Sequence, residues 1–470
     1  MQDHVSTVNG RRDRSSRPRE ASSDQISLDP TPTAPNRRSK RLGKRPANAQ
    51  QPKPPLSKSY RLSGAHQPGD TDKRNAEKTI DDLLKAEENQ DLLLYFDKTV
   101  CNTMVIDADG VDNPFRSYIL PLAYRDLGIL HAVLALSSCH IVTSESNTQA
   151  KVNAAIMIEH QLSALQSLSS LLLKEELYSL ADEEEDILLA TVLLLVLHDV
   201  CESGISSHGV HLTGTGFICR KICQHPQALA SPRTTFLLTA LSWLDVLRGF
   251  SGAEKMAYTD DVRRFILETE YFSLETLVGC PVDLFYNIGG VLEAAKQFMD
   301  GSITLGPFQT ALDEADLFFR EWNPEESSYP TQSSDWKALA EAYRHVCIIR
   351  VLRFPDTRAI PCEDPRIQAS VVSILDASAS ISTKSPFFKR LLFPLFIAGC
   401  ESSIPHQKRY VDLCIDEIKK TTGFQHLAMT NLLDQVWDAR KQQIDASINI
   451  PWMEYTCSTD LVRQHDYLFF

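Results

Sequence analysis

His198, His208, His211, Cys219 and Cys223 fall within one short stretch of the chain. Imidazoles and thiolates are zinc ligands, and cysteines four apart share a helix face, with His211 two turns earlier. However, the C-x2-C spacing occurs nowhere in the sequence, and thiols on a helix are usually core filler. Ordinary packing is therefore the expected role, and no metal ligand is assigned. Asp182-Glu183-Glu184-Glu185-Asp186 could hold a magnesium-diphosphate in the manner of aspartate-rich helices. No matching Asn/Ser/Glu set accompanies it, and an acidic first turn has the simpler role of favouring the helix dipole. Gly214-Thr215-Gly216 opens like a dinucleotide loop, but Cys219 stands where the third glycine belongs and no strand precedes it. Gly249-Phe250-Ser251-Gly252 lacks the spacing of a nucleophile elbow. With no paired acid, nucleophile–base pair or phosphate loop, no catalytic residue is assigned and the chain reads as a non-enzyme.

The elements around these residues read as helices. From Glu77 onward apolar residues recur at three and four, beginning with Ile80, Leu83 and Leu84 and continuing through Leu92, Leu93, Tyr95 and Phe96. Asn113-Pro114 is a helix start, with Asn as the cap and Pro in the first turn. Pro121 breaks or kinks that element, and a new helix runs through Leu127, Leu130, Val133, Leu134, Leu136 and Ile141. Ile187 to Leu197 is the longest greasy run, about half of the roughly 20 residues a spanning helix needs, so a buried helix is expected and no membrane partner. Pro405 opens a helix through Tyr410, Val411, Cys414, Ile415 and Ile418, which Gly423 can close with a left-handed cap. Strand-like alternation between turn pairs is nearly absent. The fold class expected is all-α, a large multi-helix domain over residues 76–470.

Charge divides the chain. Its 470 residues hold 48 Lys+Arg and 61 Asp+Glu, a net −13, yet residues 1–75 carry +9 and the remainder −22. The first 75 residues contain nine prolines, ten serines and a single aromatic residue, Tyr60. Such a stretch buries too little apolar surface to offset the entropy of ordering, so a disordered basic arm is expected. Arg37, Arg38, Lys40, Arg41, Lys44 and Arg45 form its densest run. That density suits a nuclear-import signal or a contact with the phosphate backbone of nucleic acid, and the bland alternative is a solvated tail. The start of the chain has no apolar run of a secretory signal. Eleven cysteines, widely spaced from Cys101 to Cys457, fit reduced thiols better than a disulfide framework. Two acidic-hydrophobic stretches, Glu87 to Phe96 and Asp466-Tyr467-Leu468-Phe469-Phe470, could be activation segments. Helical spacing in the first, and three aromatics in the second, favour packing against the body instead.

Several strings occur in a telling order. They are Asn113-Pro114-Phe115-Arg116, Leu120-Pro121-Leu122-Ala123, the run Leu130 to Leu136, the run Leu188 to Leu195, and His211-Leu212-Thr213-Gly214-Thr215. Downstream come Leu244-Asp245-Val246-Leu247 before Ser251-Gly252, then Leu277-Val278-Gly279-Cys280-Pro281, the run Phe393 to Glu401, and Leu433-Asp434-Gln435-Val436-Trp437. Taken together, about Leu92 to Trp452 resembles the large helical regulatory region of the fungal-specific transcription factors.

That resemblance implies a nuclear regulator of RNA polymerase II genes. Its helical body would handle regulation, small-molecule sensing or self-association as a homodimer. The implied partners are the transcription machinery or a DNA-binding protein, the DNA backbone through the basic arm, and an effector whose ligand-binding residues the sequence does not name. In the family, DNA is read by six cysteines holding two zinc ions ahead of this region. The first cysteine here is Cys101, already inside the helical body, so no zinc ligand carries over, and zinc is expected only if a six-cysteine stretch is encoded upstream. The alternative expectation is a helical ligand-sensing or protein-interaction module with no direct role at promoters.

Overall fold

The three-and-four spacing becomes helix throughout the body. The structure is a computed structural model that describes residues 70–144, 150–206, 209–224, 231–456 and 466–468, all within one unit, His66–Phe470. The first helix is α1 (Asp70–Lys85). Ile80 is buried and Leu83 and Leu84 pack on the core, and the helix they anchor continues back through polar residues, with Thr79 Oγ1 donating to the Asn75 carbonyl at 2.9 Å. Glu87 to Phe96 is also packed. Here α2 (Glu87–Tyr95) buries Leu93 and passes through a π-turn (Phe96–Val100) into α3 (Cys101–Thr103).

Asn113 caps as its type predicts, its Oδ1 accepting from the amides of Phe115 (3.1 Å) and Arg116 (3.3 Å). A π-turn (Phe115–Ile119) follows and runs without a break into α4 (Leu120–Ala123), so Pro121 sits within the helical run rather than ending it. Next come α5 (Leu127–Ser144), α6 (Ala150–Tyr178), α7 (Asp182–Glu202) and α8 (Gly209–Cys223). α5 is apolar and long enough to cross a membrane by length and composition. It is instead the spine of this half of the body, burying twelve of its residues mainly against α6 and α7. Gly128 permits the α5–α6 approach, because a Cβ there would lie 2.3 Å from Ser167 Oγ. Ile187 to Leu197 lies in α7, as expected, with nearly every residue buried. The acidic run before it is consumed locally: Glu184 accepts from the Ala181 amide at 3.2 Å, Glu185 pairs with Lys221, and Asp186 with Arg233.

The second half contains α9 (Pro232–Ser251), α10 (Asp260–Leu267), α11 (Ser273–Val278), α12 (Val282–Met299), α13 (Leu305–Glu321) and α14 (Asp335–Leu352). It continues with α15 (Pro365–Ser380), α16 (Leu392–Glu401), α17 (Pro405–Thr422) and α18 (Leu427–Gln442). α9 is buried along nearly its whole length. Its Trp243 packs edge-on to Tyr343 (5.6 Å between centroids) and Phe393 (6.4 Å), which ties α9 to α14 and α16. Gly423 closes α17 at φ +79°, as its position foretells. The only sheet among the described residues pairs β1 (Ile205–Ser206) antiparallel with β2 (Asp466–Tyr467). Two residues per strand, so distant in sequence, leave no alternation to read. Leu468 beside them is fully buried, so Asp466–Leu468 is docked chain, while Phe469 and Phe470 lie outside the described residues.

Four histidines sit where burial opposes their charge. His131 and His160 meet Nδ1 to Nδ1 at 2.8 Å between α5 and α6. Burial, then the neighbouring imidazole, pushes His131 down to about 4, and burial lowers His160 and His140 as well. Burial takes His426 down to about 3, helped by Lys419 and Arg390. An unfolded chain protonates these rings near 6.5 and the folded one only at lower pH. Their contribution to stability is therefore complete above about 6.5 and is lost as pH falls toward 4. Glu275 acts oppositely, since burial raises it to about 7 and its contribution weakens on going up through that range. Burial raises the carboxyls of Asp126, Asp186 and Asp245 as well, which act with Glu275, but the four rings are the groups an unfolded chain begins to protonate at about 6.5, and they set the sign in this range. The urea midpoint should fall between pH 6.5 and pH 4.5, and a flat profile would show that these rings are not held neutral.

Candidate functional site

The basic residues Arg37, Arg38, Lys40, Arg41, Lys44 and Arg45 lie outside the described residues, as does His208. Among the described residues, the metal candidates do not come together as a zinc site. His198 comes close to Asp199 and Glu202 on α7, and His211, Cys219 and Cys223 are not part of that group. Burial works against charge on His198, but the Asp199 carboxylate and Cys139 outweigh it and raise the ring to about 9. A protonated imidazole is a poor ligand, since metal binding needs the neutral ring. Cys219 is buried and its thiol is pushed well up by desolvation. Gly214-Thr215-Gly216 is mid-helix in α8, where Thr215 Oγ1 shares a 2.7 Å hydrogen bond with Tyr258 OH. Ser251 Oγ donates to the Arg248 carbonyl at 2.7 Å, an ordinary helix-end contact.

Two buried charge clusters, which the sequence reading did not single out, organise the body. The first surrounds Asp245 in α9. Its carboxylate accepts from Arg248 Nε at 2.8 Å and from the amides of Ala257 (3.0 Å) and Tyr258 (2.9 Å). The Arg248 guanidinium also donates to the Gly209 carbonyl and to Thr213 Oγ1, both at 3.1 Å, and stands 3.6 Å from Asp466 on β2. One carboxylate–guanidinium pair thus joins α9, α8, the loop before α10 and the C-terminal strand.

The second cluster lies where α14, α16 and α18 converge. The α16 string Phe393 to Cys400 is wholly buried and drives Glu401, at its end, into the interior with 2 % of its surface exposed. Arg353, just past α14 and 1 % exposed, grips that carboxylate with both arms: Nε donates at 2.9 Å and Nη2 donates to the other oxygen. This is the bidentate geometry that suits a planar guanidinium. Arg440 from α18 stands 3.6 Å from the same carboxylate and donates to Asn449 Oδ1 at 3.2 Å. Arg350, one turn before Arg353, is 5 % exposed and lies 3.8 Å above the Phe354 ring. Its Nε and Nη1 have no partner, and neither do Nε and Nη1 of Arg440. Burial draws Arg350 down to about 9, opposed by Glu254 and reinforced by Arg353.

Arg350, Arg353 and Glu401 line a narrow slot walled by Phe250, Val346, Ile349 and Ile397 and covered by Trp452 and Met453 of a 3-10 turn. At its widest it admits a single water-sized species. The sequence did hold a signal for this cluster, because Arg350 interrupts an otherwise apolar run from Val346 to Leu352 and Glu401 ends another. Such charges either point outward or are buried with a purpose, and only the fold decides which.

The family model of the fungal specific transcription factor domain matches residues 91–470, from within α2 to the end of the chain. No curated protein and no solved structure matches the sequence.

Proposed function

The chain belongs to the fungal specific transcription factor domain family, and on that premise we propose that it regulates RNA polymerase II genes from the nucleus through its helical body. Membership makes it a fungal transcription regulator in general terms, whose partners are DNA or transcription-related. It also points to a regulator rather than an enzyme. The supporting observation is the extent of the match, which takes in both buried charge clusters and all but the first part of the described body.

DNA reading is supplied from outside these residues, by a partner protein or by a zinc cluster encoded upstream. The ten described cysteines do not fit such a cluster: all are free, nine are buried, and they are scattered through the helical body from Cys101 to Cys414. The basic run Arg37 to Arg45 delivers the protein to the nucleus and touches DNA only through phosphates. A small-molecule effector and a second copy of the chain are the inputs the body would integrate.

Tethering the full chain to a reporter promoter through an unrelated DNA-binding module tests the reading. Reporter output should change several-fold in either direction, and unchanged output would favour a sensing or interaction module with no promoter role. Replacing Arg37, Arg38, Lys40, Arg41, Lys44 and Arg45 by alanine in a tagged chain should shift it from nucleus to cytoplasm. An unaltered nuclear signal would sink the import assignment.

A further inference from the structure

We propose that α6 is the surface through which two copies of the chain associate, as an antiparallel helix pair. The helix carries two apolar stripes where a surface helix needs one. Met157, Ala164 and Leu168 are buried in the body, where the helix packs mainly on α5. One position further on, and therefore about 100° round the helix, Ala155, Ile158, Leu162, Leu165, Ser169 and Leu172 form a second stripe. Ile158 and Leu162 are 50 % and 54 % exposed, and Leu173 and Leu177 beside the stripe are more exposed still. Its spacing, three and four in strict alternation, is the heptad seam of a coiled coil, whereas ordinary surface leucines are scattered singly. From Ala155 to Leu177 the stripe and its flank run for about 33 Å.

The stripe is complementary to itself. Run antiparallel about a two-fold axis between Leu162 and Leu165, it sets Leu162 opposite Leu165, Ile158 opposite Ser169 and Ala155 opposite Leu172. The axis repeats each layer, and every layer then holds a large aliphatic side chain. A slip of one heptad would set Ile158 against Glu176. A parallel pair would bring the two Glu176 carboxylates together, a like-charge contact that opposes association and so fixes the direction. An interface of standard size engages about 20–30 residues a side, and the stripe with its flanks offers about ten, which suits a transient pair. The pairing gives a surface to the second copy proposed above as an input, and rests on that part of the reading alone. The promoter assay reads the remainder separately, because it does not depend on α6.

The test uses the full 470-residue chain in sedimentation velocity. Between about 1 and 200 μM, the range of weak association, the average mass should move from monomer toward dimer. Leu162→Glu, at a half-exposed site, should raise the dissociation constant at least about tenfold and leave the thermal midpoint of the dilute chain unchanged. Should that variant not fold, Ile158→Lys on the same stripe should act alike. Direction is read by cross-linking. Chains carrying Ile158→Cys, mixed with chains carrying Ser169→Cys, should form a 158–169 disulfide on mild oxidation, mapped by mass spectrometry. Glu176→Cys should not link to itself, because its two copies lie about 37 Å apart along the antiparallel pair. A wild-type chain monomeric at the highest concentration, a dimer indifferent to the stripe substitutions, or a 176–176 link would each overturn the proposal.

Discussion

Glu401→Gln should destabilise the folded body by about 3–5 kcal/mol, the usual consequence of removing one partner from a buried ion pair. The substitution keeps the shape of the side chain and deletes only its charge. Arg353 would then face a neutral amide where it now makes two charge-assisted bonds, and Arg440 would lose the carboxylate 3.6 Å away. No other acidic side chain of this cluster is buried to take over. Urea unfolding of the purified chain measures the loss. A change under about 1 kcal/mol would show that water reaches Arg353 and Arg440. Arg353→Met combined with Glu401→Leu should recover only the part of the loss that comes from Arg353, since it replaces that pair by apolar groups but still leaves Arg440 without the carboxylate 3.6 Å away.

Asp245→Ala should be of comparable size, about 3–5 kcal/mol, with a different spatial signature. Asp245 is completely buried and is the acceptor for Arg248, Ala257 and Tyr258. Its removal strands a buried guanidinium that also bridges to the Gly209 carbonyl and toward Asp466. Alongside the global loss, hydrogen exchange should accelerate at the Tyr258 amide, which bonds Asp245, and at the Leu468 amide, which donates to the Gly204 carbonyl at 3.4 Å. Uniform exchange changes, with no excess at these two places, would mean that Asp245 acts only on α9.

Much of this architecture was legible because it depends on local rules. The Asn113 cap, the left-handed Gly423 and the burial of α7 each follow from a few neighbouring residues and the helical period. The acidic run before Ile187 was read as a helix start, and Glu184 does close on the Ala181 amide there. What local rules do not contain is which distant residues meet. Arg350 and Glu401 stand out in the sequence only as charges set in apolar runs, Arg353 and Arg440 not at all, and only the convergence of three helices gathers and buries them. The pairing of Ser206 with Asp466 is invisible for the same reason.

The burial of α5 has a consequence during synthesis. The helix is complete at Ser144, but α7, which with α6 covers it, is not finished until Glu202. At ordinary elongation rates those intervening residues take about 3–12 s to appear. Throughout that interval the ribosome displays a helix as greasy as a membrane span with only part of its covering made. The nascent chain is thus a natural client for chaperones that capture apolar segments. A premature stop between α5 and α7 would leave that helix permanently uncovered, turning a regulator into an aggregation hazard.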